Sequence, residues 1–157
     1  MDTDMFADAP PSEPPSHLVI ENLIAAYAEL VDTGDFVGLA NLLADASFTL
    51  NSGERLDGRD AVERLARDTL VLYDDGTPRT KHVTTNVIVE VDEAAGTADS
   101  RSYFTVFQAL PDFPLQAVAC GRYRDRFERR DSGWRFVERQ VVTDFLGDVS
   151  RHLRRAS

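Results

Sequence analysis

Apolar residues recur at helical spacing through the first half of the chain and at strand spacing through the rest. The run HLVIENLIAAYAELVD, residues 17–32, sets Val19, Leu23, Tyr27, Leu30 and Val31 along one side of a helix, with Ser16 placed to cap its start. Gly34 ends that helix. Asp35 can then cap a second, shorter helix through FVGLANLLA, with Phe36, Leu39, Leu42 and Leu43 as its apolar side. A short strand, SFTLNS, and a turn rich in Gly and Asp lead to a third helix, RDAVERLARDTLVLY. Its buried stripe is Val62, Leu65, Ala66 and Leu70, with Tyr73 at the end.

From Thr80 the period shortens to two. KHVTTNVIVEVD is dense in β-branched residues and ends in a turn at 92–96, and TADSRSYFTVFQAL continues as a second long strand. After a kinked loop, PDFPL, come QAVACGRYRDRFERR, a turn at Asp131–Gly133, and WRFVERQVVTDFL. Helices first and hairpin-joined strands afterwards predict an α+β domain. In it, a curled, mixed or antiparallel sheet packs on three N-terminal helices. Such a sheet closed by helices is a cone, and the inside of a cone is a pocket.

The 157 residues suit one domain, placed at 17–148. Residues 1–16 are acidic, contain four prolines and offer almost nothing to bury, so a flexible lead-in is expected there. The basic ending, 149–157, is expected to be solvated.

Charge narrows the partners. With 27 acidic against 17 basic side chains the net charge is -10, which argues against nucleic acid or an anionic membrane surface as the main partner. One cysteine, Cys120, leaves no internal disulfide and no thiolate metal cluster. No secretory pattern opens the chain, and no apolar run approaches the roughly 20 residues that span a bilayer, so a soluble, cytoplasmic protein is expected. No GxGxxG, Walker loop, GxSxG or HExxH occurs, and His17, His82 and His152 lie far apart in sequence. Neither an organic cofactor nor a metal is therefore expected.

Four residues carry candidate chemistry. His82 opens a strand in which alternation puts His82, Thr84, Asn86 and Ile88 on one face; it is either a core histidine satisfied by a carbonyl or a reacting group inside the cone. Asp32 ends the first helix, where the helix dipole costs a carboxylate about 0.3–1 kcal/mol. It is either a solvated acid in a turn or has a partner. Arg139 alternates with Val137 and Val141, opposite Trp134, Phe136 and Glu138. It either snorkels at the sheet rim or points into the pocket as a fixed cation. Tyr27, on the buried stripe of the first helix, has a hydroxyl that needs a partner and could donate to a substrate. Phe48, Phe104, Val106 and Val141 are expected to line the pocket, which suits an apolar ring system. Trp134 and Phe136, on the face away from Arg139, predict a covered outer surface and hence a homodimer or homotrimer.

These residues together resemble the SnoaL-like branch of the nuclear-transport-factor-like superfamily. The resemblance rests on Tyr27…Asp32–Thr–Gly–Asp35–Phe36, on Gly58, on His82–Val–Thr–Thr–Asn86 and on YRDRFERRDSGWRFVERQ, and it spans about residues 17 to 148. The members it is similar to include hexachlorocyclohexane dehydrochlorinase, scytalone dehydratase and bile-acid 7α-dehydratase. It implies a cone-shaped α+β barrel in which an Asp–His dyad abstracts a proton as a leaving group departs. The dyad maps to Asp32 and His82, a last-strand arginine to Arg139 and a helix-one tyrosine to Tyr27. The implied function is a cofactor-independent lyase or isomerase acting on a hydrophobic, cyclic small molecule. A polyketide-cyclase-like aldol closure and a non-catalytic binding or assembly subunit, as in dioxygenase small subunits, stay open beside it. The second histidine of scytalone dehydratase has no match in the middle strands, where Phe104, Phe107 and Phe113 stand instead.

Overall fold

The computed structural model describes residues 12–154. Three helices, α1 (Ser16–Asp32), α2 (Phe36–Leu42) and α3 (Arg59–Thr69), pack against a six-stranded sheet. The strands are β1 (Ser47–Thr49), β2 (Arg55–Asp57), β3 (Thr80–Asp92), β4 (Thr97–Leu110), β5 (Phe113–Arg130) and β6 (Gly133–Leu146), in the order β2-β1-β6-β5-β4-β3. β3 to β6 are successive antiparallel neighbours, while β1 lies parallel to β6 with Phe48 opposite Arg139. The sheet is therefore mixed and curled around the helices, as the order of elements predicts. β2 is a tripeptide, Arg-Leu-Asp, too short and polar to show alternation in the sequence. The loop expected at PDFPL shrinks to Pro111 and Asp112, since β5 already starts at Phe113.

α1 turns a slightly different face inward than its sequence suggests. Ile20, Ile24, Tyr27, Ala28 and Val31 are buried, while Val19, Leu23 and Leu30 flank them and are only partly covered. Ser16 is not the cap. Pro15 takes that place in an extended conformation, and its carbonyl accepts from the Leu18 and Val19 N–H groups at 3.0 and 3.2 Å. Asp35 does cap α2, with Oδ1 accepting from the Gly38 N–H at 2.8 Å. α3 ends at Thr69, so Leu70 pairs with Leu153 instead of continuing the helix.

Two β-bulges reverse the faces inferred from simple alternation. In β3 the register slips between Thr85 and Ile88, with Asn86 at φ 53°. The inner row is therefore Thr80, His82 and Thr84, then Val87, Val89 and Val91, and Ile88 turns outward. In β6 the slip falls between Phe136 and Glu138. Trp134 and Phe136 consequently lie on the same inner face as Arg139, all three buried. The expectation that Trp134 and Phe136 form an outer face is thus corrected, because one extra residue inverts every side chain beyond it.

The basic ending is not a solvated tail where it is described. His152 is buried, and the strap from Gly147 to Arg154 is tied down by main-chain bonds: Gly147 N–H to Val118 O at 2.8 Å, Val71 N–H to His152 O at 2.9 Å, and Arg154 N–H to Thr69 O at 2.8 Å. The Arg151 carbonyl accepts from the Gln108 side chain at 3.0 Å. Most of the acidic lead-in, residues 1–11, lies outside the described residues. Among the described residues no helix is long and apolar enough to cross a membrane.

Candidate active site

The end of α1 is held against the turn that feeds β3. Gly34 adopts φ +72°, and a Cβ there would lie 2.2 Å from the Gly76 carbonyl oxygen, so only glycine permits this approach. The contact sets Asp32 beside the first residues of β3, where Thr80 and His82, two apart, share the inner face. Asp32 Oδ1 accepts from the Thr80 hydroxyl at 2.8 Å and Oδ2 from the His82 main-chain N–H at 2.8 Å. The same Oδ1 lies 2.6 Å from His82 Nδ1. Burial acts to raise the Asp32 pKa. The hydrogen bonds and charge of His82, with the Thr80 hydroxyl, outweigh it and leave the carboxyl below its ordinary value. This partner set resolves the unfavourable position at a helix C-terminus.

A carboxylate can only accept, so His82 Nδ1 carries the hydrogen and Nε2 keeps its lone pair. His82 lines a cavity of about 280 Å³, and Asp32 is not among the residues that line it. The walls are mainly apolar: Phe48, Phe104, Val106 and Val141 all line it, together with Leu65 of α3 and the rings of Tyr27 and Tyr123. The C-terminal strap closes one side with Val149, His152 and Leu153. The His152 ring stands 6.2 Å from that of His82, centroid to centroid, at 63°. Burial first, and then the neighbouring His82, hold the His152 pKa down at about 4, against a smaller opposing pull from Asp32.

Arg139 does not enter this cavity. Its Nε and one terminal nitrogen each bond Asp125 at 2.8 Å, and both side chains are fully buried. The guanidinium lies against the rings of Tyr27, Tyr123 and Phe136, at 4.1, 3.9 and 4.9 Å from their centroids. The reading of Arg139 as a fixed cation facing substrate is therefore corrected: Asp125 neutralises it, and aromatic rings stand between it and the cavity. Tyr27 does line the cavity. Burial pushes its hydroxyl pKa up, with Arg139 opposing, so it stays a protonated donor at neutral pH.

The chain matches the model of the SnoaL-like domain over residues 15–140. It belongs to the SnoaL-like domain family. Solved structures with the same fold include a single-substitution form of Rv3472, a protein of unknown function from Mycobacterium tuberculosis. That protein is 28% identical, with 85% of this chain and 74% of that one covered and a TM-score of 0.67. An NTF2-like protein with a cystatin-like fold from Novosphingobium aromaticivorans is 23% identical, with 87% and 86% covered and a TM-score of 0.66. LinA is 22% identical, with 83% and 86% covered, also at 0.66. No curated protein matches this SnoaL-like chain in sequence.

Thr80, Tyr123, Asp125 and His152 were not singled out from the sequence of this SnoaL-like domain. Three of them carried a usable signal. Thr80 precedes His82 by two residues in one strand, and YRDRF alternates outward arginines with inward Tyr123, Asp125 and Phe127.

Proposed function

We propose that this SnoaL-like protein is a cofactor-independent lyase or isomerase that removes a proton from a hydrophobic, cyclic small molecule. The observation that carries this reading is the 2.6 Å contact between Asp32 and His82 Nδ1, with His82 lining a mainly apolar cavity. His82 Nε2 is the general base, since the ring nitrogen that keeps its lone pair can take a proton from an activated carbon. Asp32 fixes the tautomer, orients the ring and stabilises the imidazolium that forms. Thr80 and the His82 main-chain N–H hold that carboxylate in place.

Apolar walls suit a ring system of modest size, because a cavity of about 280 Å³ lies at the lower end of small-ligand sites. They also strengthen the electrostatic interaction within the dyad by excluding water. LinA, a dehydrochlorinase, shares the fold and supports elimination as one outcome of the proton transfer. The reading is tested by incubating the protein with cyclic alcohols and ketones and following conjugated products by ultraviolet absorbance. Turnover by the wild type that disappears in His82→Ala is the expected result. Equal turnover by both proteins refutes the assignment.

A further inference from the structure

We infer that His152, on the C-terminal strap, is a second catalytic residue of the cavity, donating a hydrogen bond from Nε2–H to a substrate oxygen while His82 takes a proton from the adjacent carbon. The inference rests on the reading of His82 as the base. It adds the second polar contact and, with it, a substrate class: cyclic ketones or enones.

Three observations lead there. The strap is fixed, since Val71 N–H bonds the His152 carbonyl at 2.9 Å and Arg154 N–H bonds Thr69 O at 2.8 Å, so the ring is presented by a pinned backbone. The ring is buried and lines the same cavity as His82. Its Nδ1 is sealed in protein with no hydrogen-bond partner. A hydrogen on Nδ1 would be an orphaned buried donor, which folded proteins avoid more strictly than an unpaired acceptor. The hydrogen therefore sits on Nε2, the nitrogen left for a ligand.

The charge balance of the site points to the same role. Proton removal by His82 leaves negative charge on the substrate, and the nearby cation, Arg139, is already neutralised by Asp125 behind aromatic rings. A neutral donor must meet that charge; Tyr27 packs against Arg139, and His152, facing His82 across the cavity, offers its N–H to an oxygen joined to the carbon that loses the proton. With imidazole centroids 6.2 Å apart, one group can reach the C–H and the other the carbonyl of the same ring. In the step, the C–H electron pair forms a carbon–carbon double bond and the carbonyl π pair moves to oxygen, giving an enolate held by His152. The proton rests on His82 Nε2. Its return to another carbon completes an isomerisation; its transfer to a departing β-hydroxyl releases water and completes a dehydration. Burial keeps His152 neutral, so it does not compete for the proton.

The test compares 2-naphthol, a planar enolate mimic, with naphthalene, which has the same ring system and no oxygen. Binding of both is measured to the wild type, His152→Phe and His152→Gln. The wild type should prefer 2-naphthol, and that preference should fall roughly 3- to 10-fold in His152→Phe, the value of one hydrogen bond. His152→Gln, whose amide restores an N–H, should recover part of it. The ¹⁵N resonance of His152 Nε2 should shift with 2-naphthol and not with naphthalene. Equal losses for both ligands, an unchanged preference in His152→Phe, or no preference in the wild type would each overturn the role of His152. Exchange of the α-protons of 1-tetralone in D₂O, measured in parallel on His82→Ala, tests the base separately. Its loss there, alongside an unaltered naphthol preference in His152→Phe, removes His152 and leaves the base assignment standing.

Discussion

Arg139 and Asp125 lie opposite each other on β6 and β5 and share two hydrogen bonds of 2.8 Å, with neither side chain reaching solvent. Aromatic rings of Tyr27, Tyr123 and Phe136 close around the guanidinium. The pair forms part of the foundation under the cavity: it fixes Tyr27 and Tyr123, whose other sides form the cavity wall. Its charges balance internally, so its role in the fold is separable from the chemistry at His82.

Arg139→Met should destabilise the protein by about 3–5 kcal/mol, because it strands the Asp125 carboxylate in the core. Adding Asp125→Leu should return most of that stability, since an apolar pair of similar volume removes both desolvation penalties. Urea denaturation of the two single variants and the double variant closes the cycle. A double variant no more stable than Arg139→Met contradicts this account.

Asp32→Asn should lower turnover by about 10²–10⁴-fold with little change in fold, the range expected when a general base is lost. The Asn oxygen must accept from the fixed His82 main-chain N–H, as Oδ2 does now. Its NH₂ then faces Nδ1, which forces the ring hydrogen onto Nε2 and removes the lone pair from the cavity. A ¹⁵N spectrum of His82 reports the tautomer directly. Retention of the Nδ1–H form together with lost activity would contradict the tautomer argument.

Acid should weaken the fold through two groups with the same sign. The Asp32 pKa is lowered in the folded protein, so its contribution is present above the unfolded carboxylate value and is lost as pH falls through the folded one. His152 is held at about 4 against an ordinary 6.5. The unfolded chain thus takes up a proton below about pH 6.5 that the folded chain refuses until about pH 4, a loss of about 3 kcal/mol across that window. The His82 ring faces His152, and Asp32 beyond it exerts a smaller opposing pull. His152→Phe should therefore lose less stability than the wild type between about pH 7 and about pH 4.5 in urea unfolding. Parallel pH dependence in the two proteins would contradict the buried neutral state.

The helices and the long strands were legible because each rests on a strong local signal, whereas the pairing of Asp32 with His82 came from the resemblance to the SnoaL-like family. Period and turn residues mark the elements, and Asp32 and His82 stand at positions where a charged or polar group needs a reason. What stayed hidden depends on single inserted residues and on tertiary return. Asn86 in αL and the bulge beside Val137 invert two strands, which moved Ile88 outward and brought Trp134 and Phe136 in. An asparagine inside a β-branched run is the local trace of the first bulge; the second leaves none. His152 sits in a short basic stretch, RHLRR, whose composition reads as solvent-exposed, and long-range bonds to Thr69, Val71, Gln108 and Val118 fold it back over the cavity. Arg139 reads in the sequence as a cation at the rim or in the pocket, because the partner that lets it be buried, Asp125, lies on a different strand.

With Trp134 and Phe136 inside, self-association must be sought on other residues. The outward row Val83, Thr105, Cys120 and Phe145 runs across four strands, with Tyr103 beside it, and Val83, Tyr103 and Phe145 are all exposed. We propose this face as the contact of a homo-oligomer. Light scattering should give a dimer or trimer for the wild type and a monomer for Tyr103→Glu combined with Phe145→Glu. A monomeric wild type, or an oligomer indifferent to both charges, rules the face out.

The most direct test of the central claim is α-proton exchange in D₂O on cyclic ketones such as 1-tetralone, followed by ¹H NMR for the wild type and His82→Ala. Exchange well above the buffer rate is expected with the wild type, and exchange at the buffer rate with His82→Ala. Equal exchange by both proteins, or none above buffer across one-, two- and three-ring ketones, would contradict His82 as a base.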